Sequence, residues 1–340
     1  MGTRLSERPP LAWSLARQAV FDRCKRRYLH RYYSGWGGWS SDAPALARLA
    51  YAHGKLTTLQ LALGTAVHAA ARELAAALLD RRPLPKLDQV RARVKAAMND
   101  VVRSSRDVEA FLLQPRAHPM LQEVYYGGGL TAEAIARTAE RLERCTDSLV
   151  GSPLWVELAA LPQASILLVD SLEIHRLDGV PVYAAPDLAY LSGPDAATIV
   201  DFKTGNAHED EVLGQLALYA FALREGMGEA APNAWRGRAI LLDSGEELTC
   251  DLTAADLESA GVRAQEGYGG MLALLTDVEA NIPAPASAFP LAPRRAGCPA
   301  CPFWEICEDE VRNSTVVPRG PGRAAAGEPV GAASRDRSPV

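Results

Sequence analysis

Lysine is scarce in this sequence: 340 residues hold five, at positions 25, 55, 86, 95 and 203, against 31 arginines. Bulk positive charge is therefore carried by guanidinium groups, and Lys203 is the one lysine in the 245 residues after Lys95. A compact ammonium is not interchangeable with a planar fork, so a lysine kept in such a chain points to chemistry at that position. Long apolar runs are lacking too. No stretch of about 18 apolar residues exists, and MGTRLSERPP has no apolar segment of a leader, which argues against a membrane span and for a cytoplasmic protein. No G-x-x-x-x-G-K-[ST] loop occurs, so a nucleotide-driven motor of that kind is excluded, and no internal repeat is visible.

A net charge of −5 does not by itself recommend a polyanionic partner. Its distribution says more. Residues 1–31 carry eight Arg or Lys against Glu7 and Asp22, which leaves the remainder strongly acidic. That pattern fits a chain that holds phosphates in one place and cations in another, and equally a solvated helix face. In LARQAVFDRCKRRYLHRYYSGWGGW, read as one helix running into a Gly/Trp loop at 35–39, aromatic and cationic residues alternate. The mixture suits stacking on bases as well as core packing.

Apolar spacing of three and four marks helices over 59–80, 87–114 and 131–150, a helical block broken by Pro83 and Pro85. From 153 the period turns strand-like through ASILLVDSLEIHRL, VPVYAAPDLAYL and ATIVDFKTG, which suggests a three-stranded antiparallel meander. A helix over 209–225, strands over 237–243 and 246–251, and a helix over 254–280 follow. The expected class is α+β: a mixed sheet flanked by helices. Residues 314–340 have no aromatic residue, and 16 of the 27 are Ala, Gly, Pro or Ser, a composition that predicts disorder.

Positions i and i+2 of a strand share a face, so Asp201 and Lys203 of VDFK project together, away from Phe202. A salt bridge at a strand end is the simplest account of a bare D-x-K. The preceding Pro186-Asp187, however, lies where a hairpin would bring a second carboxylate alongside. Two such acids repel unless a cation lies between them, and Mg²⁺ suits oxygen ligands with water and phosphate completing its shell. The implied reaction is phosphodiester hydrolysis, with Lys203 assisting the water. Glu173 and His175 would share one strand face, expected toward solvent.

PD followed by D-x-K resembles the PD-(D/E)xK nuclease superfamily, and more narrowly its RecB-like branch. LGTAVHAAARE carries Gly64 and His68 as G-x-x-x-H, and EVLGQLALYAF carries Gln215 and Tyr219 as Q-x-x-x-Y, both matching that branch in order. The resemblance implies a restriction-endonuclease-like core over 1–313 with a helical insertion at about 81–150. It implies Mg²⁺ or Mn²⁺ held by His68, Asp187, Asp201 and the Phe202 carbonyl, and a substrate strand placed by Gln215 and Tyr219. The expected activity is that of a DNA exonuclease or end-processing enzyme on single-stranded DNA in repair, CRISPR adaptation or phage defence, with a helicase or defence protein as partner. The alternative is a non-catalytic iron–sulfur scaffold subunit of a helicase–nuclease complex.

Cys298, Cys301 and Cys307 form C-x2-C-x5-C, and Cys24 can supply a fourth thiolate only if the fold brings the chain ends together. Ligand count does not separate tetrahedral Zn²⁺ from an iron–sulfur cluster. The resemblance favours [4Fe–4S], because one cysteine before the nuclease core and three after it is the arrangement of AddAB-type and CRISPR-associated exonucleases. Cys145 and Cys250 have no partner at ligand spacing and are read as structural.

Overall fold

The computed structural model describes residues 7–169, 173–177, 179–205 and 208–313. The expected disordered tail at 314–340 lies outside these residues, as does the Glu173 side chain.

The chain opens with α1 (Leu15–Arg23) and α2 (Lys25–Leu29), then a π-helical turn (His30–Ser34) and α3 (Ala45–His53). The single helix expected here is broken at Cys24, whose backbone is extended (φ −166°, ψ 119°) and whose Sγ caps α2 by accepting from Arg27 N–H at 3.4 Å. The helical block follows: α4 (Leu59–Leu79), α5 (Leu87–Ser104), α6 (Val108–Leu113), α7 (Gln122–Tyr125), α8 (Ala132–Gly151) and α9 (Leu154–Ala160). Helix α9 corrects the expectation of strand from 153. Its apolar Leu154, Trp155 and Leu158 recur at helical spacing and are buried.

Strands β1 (Ile166–Val169), β2 (Glu173–Leu177), β3 (Val180–Ala184), β4 (Leu188–Gly193) and β5 (Ala196–Lys203) precede α10 (Glu209–Met227). Then come β6 (Ala234–Leu241), β7 (Glu246–Leu252), α11 (Ala254–Leu272), β8 (Leu275–Asp277), β9 (Ile282–Pro283) and α12 (Trp304–Asn313). The main sheet has the order β1-β4-β5-β6-β7, antiparallel except for β5 beside β6. The meander is therefore not formed as expected, because β2 and β3 leave the sheet as a separate hairpin. That hairpin packs on α10, and His175, expected toward solvent, is buried with its ring against Gly226.

Strand β5 is buried from Ala197 to Phe202, as a central strand covered on both faces must be. Ala197 and Ile199 join a core with α10, α11 and the β2–β3 hairpin, whereas Val200 and Phe202 join a second core with α4, α5, α8 and α9. Trp155 stacks on Phe202 at 5.9 Å between ring centres. A third core joins Ala52, Phe111, Tyr125 and Tyr126 to Trp304, Cys307 and Val311.

Helix α10 seats on the sheet through Gly237 of β6. A Cβ there would stand 2.9 Å from both Leu216 Cδ1 and Cys250 Sγ. Gly237→Ala is expected to destabilise the fold by about 1–3 kcal/mol in denaturant unfolding, through overpacking. Unchanged stability would show that α10 rides on the sheet with room to spare.

Candidate active site

Asp187 stands in the bend just before β4, where the register pairing Leu188 with Val200 continues to set Asp187 beside Asp201. Both fall on the α10 side of the sheet, as the i, i+2 parity predicts. Asp201 is 4% exposed and Lys203 Nζ stands 2.7 Å from its Oδ2. Beyond that ammonium, Oδ2 finds no hydrogen-bond partner among the described residues. The ammonium therefore offsets the charge of that oxygen and, because a carboxylate oxygen has two lone pairs, leaves it a second one to offer. Burial pushes the Asp201 carboxyl above its ordinary range, with Lys203 opposing and Asp187 adding to the shift.

Helix α4 brings its own line of residues to the same place. Its Ala- and Leu-rich face (Leu59, Ala62, Leu63, Ala66, Val67, Ala70) packs inward, so Gln60, Gly64 and His68 fall four apart along its flank. His68 Nδ1 and Asp187 Oδ1 are 2.8 Å apart, and Phe202 N–H donates to Asp187 Oδ2 at 2.7 Å. Gly64 is needed for close approach: a Cβ there would lie 3.0 Å from Thr204 Oγ1. Burial lowers the His68 pKa, but the hydrogen bond and charge of Asp187, with Asp201 behind, outweigh it, so the imidazole titrates above its ordinary value.

From α10 the line Glu211, Gln215, Tyr219 faces the cleft, with Glu211 at its exposed rim. Gln215 Oε1 accepts from Lys203 Nζ at 2.5 Å, and Gln215 Nε2 donates to Tyr219 Oη at 2.6 Å. A cleft of about 410 Å³ is lined by His68, Asp187, Asp201, Phe202, Lys203, Gln215 and Tyr219, with Glu211 and Thr204 beside them. Glu211 was missed in the sequence, although it lies one turn before Gln215 and the i, i+4 spacing would have reached it.

Among the described residues, no three His, Cys, Asp or Glu side chains stand close enough together to hold a metal as arranged. Asp187 spends both oxygens on protein donors. The donor set nonetheless fits a hard divalent cation: two neighbouring carboxylates, one of them buried with only the Lys203 ammonium against its Oδ2, an imidazole and a backbone carbonyl.

The chain ends meet on another side of the molecule. Arg26 N–H donates to Pro290 O at 3.2 Å and its guanidinium bonds Phe289 O and Glu310. Burial raises the thiol pKa of Cys298, Cys301 and Cys307, and the charge of Cys24 adds to each, with Cys298 also acting on Cys301 and Cys301 on Cys307. Burial pushes Cys307 up to about 12. Cys145 is buried in the α4–α8 core, and Cys250 Sγ contacts Gly237 O at 3.8 Å. In the first segment Arg23, Arg31 and Trp39 stay exposed, while other members of the alternation turn inward. Tyr28 and Tyr33 are buried, and Arg17 lies 4.3 Å over the Tyr32 ring.

The profile of the PD-(D/E)XK nuclease superfamily matches residues 12–308, and the chain belongs to that superfamily. Membership implies a nuclease hydrolase, in a superfamily that usually employs divalent metals. No curated protein matches the sequence. No helix of the described residues is long and apolar enough to cross a membrane.

The His68–Asp187 contact carries a pH signature in metal-free protein. Because the folded pKa of His68 is raised, its stabilisation is fully present below the unfolded value and is lost as pH rises through the folded one. In chelator, His68→Gln should therefore lower the unfolding midpoint relative to native at pH 5.5 and converge with it by pH 9. A difference that grows toward pH 9 would contradict the assigned direction.

Proposed function

We propose that this chain is a Mg²⁺- or Mn²⁺-dependent deoxyribonuclease of the RecB-like branch, acting as an exonuclease or end-processing enzyme on single-stranded DNA. The reading is carried by one observation: a buried carboxylate, a second carboxylate in register beside it, and an ammonium held against the first. In it, His68, Asp187, Asp201 and the Phe202 carbonyl would hold the cation. When bound, the cation supplies Lewis acidity toward the phosphoryl oxygens and lowers the pKa of a water.

The remaining work belongs to side chains. Lys203 can orient the attacking water and offset charge on the pentavalent phosphoryl group. Gln215 fixes the lysine head from one side and Asp201 from the other, with Tyr219 holding Gln215 in turn. The Gln-Tyr pair thus acts first on the lysine, a role that adds to the expected contact with the DNA strand. Domain limits of 1–313, with an insertion near 81–150, belong to the same proposal. So do a helicase or defence partner and a role in repair, CRISPR adaptation or phage defence.

Lys203→Ala is expected to lower nucleotide release from labelled single strands by at least about 100-fold with saturating Mg²⁺ or Mn²⁺. Gln215→Ala should lose less, because Asp201 still holds the ammonium. Equal rates for native protein and Lys203→Ala would remove the catalytic assignment. Strand binding that survives chelation, with no cleavage under any metal, would instead favour the scaffold reading.

The C-x2-C-x5-C run and Cys24, which share the end of the molecule where the two chain ends meet but are not within ligating distance as arranged, support a [4Fe–4S] cluster, with Zn²⁺ as the structural alternative. Anaerobically purified protein should be brown with about four iron atoms per chain. Cys24→Ser should lose iron and thermal stability together. A colourless preparation holding one zinc decides for the alternative.

A further inference from the structure

The helical block reaches the end of the catalytic strand through one side chain. The β5–β6 ladder closes where Leu242 N–H donates to Lys203 O at 2.8 Å. Thr204 is the next residue, and its carbonyl lies beyond that last ladder bond. Arg141 of α8 fills it, donating Nη2–H to Thr204 O at 2.5 Å. The same guanidinium donates Nε–H to Asp243 Oδ2 at 3.1 Å, and Arg144 Nη2 holds the other oxygen of Asp243 at 2.7 Å. Asp243 belongs to the turn between β6 and β7, so α8 grips the two neighbouring strand exits at once.

On its other side the Thr204–Gly205 peptide lies against α4. Thr204 Oγ1 would meet a Cβ on Gly64 at 3.0 Å, and Gln60 Nε2 would meet one on Gly205 at the same distance. Thr204 and Gly205, the two residues that follow Lys203, are thus pressed between α4 and the Arg141 guanidinium. Arg141 is not among the residues lining the cleft, and its side chain is 23% exposed. Whatever it contributes, it contributes through the backbone.

We infer that Arg141 is a positioning residue for the nuclease reaction: by holding the Thr204 carbonyl it sets the direction in which β5 leaves the sheet, and so the anchor from which Lys203 reaches Asp201 and Gln215. The inference rests on the proposed role of Lys203. A lysine stem is flexible, and its head is placed only as well as its Cα and its two partners are. Small displacements at such a group cost about 100-fold in rate. A charged donor on a carbonyl is also stiffer than a neutral one. The helical block is then part of the catalytic apparatus rather than an insertion beside it.

The test compares Arg141→Ala, Arg141→Lys, Asp243→Asn and Lys203→Ala in the full chain. kcat and KM are read on labelled single-stranded DNA at saturating Mn²⁺, and thermal unfolding is read on the same samples. Asp243→Asn removes the ion pairs but leaves Arg141 its carbonyl, so it reports the cost of a weaker joint alone. Arg141→Ala is expected to lower kcat by about 10–100-fold with KM little changed, as for groups that orient a catalytic ligand from behind. Arg141→Lys, which keeps a donor but not the fork, should fall between, and Asp243→Asn should stay close to native in kcat while losing thermal stability. If Asp243→Asn loses as much kcat as Arg141→Ala, Arg141 is only cement for the fold and the inference fails. If Lys203→Ala is inactive and Arg141→Ala turns over like the native protein, the inference alone fails. A native protein that cleaves nothing, or a fully active Lys203→Ala, removes the reading of the site and this inference with it.

Discussion

Everything at the site depends on two carboxylates being brought side by side where one of them is out of water. Asp201 sits on a strand buried on both faces, and Asp187 is set beside it by the antiparallel register of β4 with β5. Like charges at that spacing are tolerated only with compensation, and the protein supplies part of it. Lys203 meets one oxygen of Asp201, while His68 and the Phe202 amide take both oxygens of Asp187. One ammonium shared by two neighbouring acids is where the compensation stops short, and where a cation would complete it.

The fold accounts for why these groups meet at an open end rather than inside a core. Two apolar cores lie on opposite faces of β5, and the strand alternates between them up to Phe202. At Lys203 the sheet ends, and helices from both layers extend past its edge: α4 from one side with His68, α10 from the other with Gln215 and Tyr219. The site is thus the seam between the two layers. That position gives burial to the acids and access to a strand of nucleic acid in the same few ångströms.

Much of this was legible because it is local. The period of two in VDFK puts Asp201 and Lys203 on one face, and the period of 3.6 puts Gly64 with His68 and Gln215 with Tyr219, with no tertiary knowledge required. The partner each side chain finds was not legible in the same way. Gln215 bonds the lysine, and Glu211 joins the cleft, because of how α10 docks over Gly237, a contact between residues far apart in sequence. The break at Cys24 escaped notice for a related reason: a cysteine cap is a weak local signal, made decisive by the packing of Arg26 against residues 286–290 and Glu310. Strands β2 and β3 read like their neighbours, yet β3 pairs with the N-terminal segment at Trp13, a bridge no strand pattern announces.

The cysteine-bearing end is joined to the site by protein contacts alone. Tyr126 Oη donates to Pro302 O at 2.7 Å, and Tyr125 Oη to Glu305 at 2.7 Å, so the short helix α7 is held by the segment between Cys301 and Cys307. The same helix supplies Glu123, which accepts the first N–H of α4, that of Leu59, at 3.0 Å. Two turns further along α4 stand Gly64 and His68. The four thiols therefore do not need to touch the catalytic groups to matter to them. Anything that tightens the C-terminal segment steadies α7, α7 steadies the start of α4, and α4 holds the imidazole against Asp187. A cluster at that end would add a covalent staple to a joint the protein already makes through Arg26, Tyr125 and Tyr126, and its structural effect at the site would pass through the register of one helix.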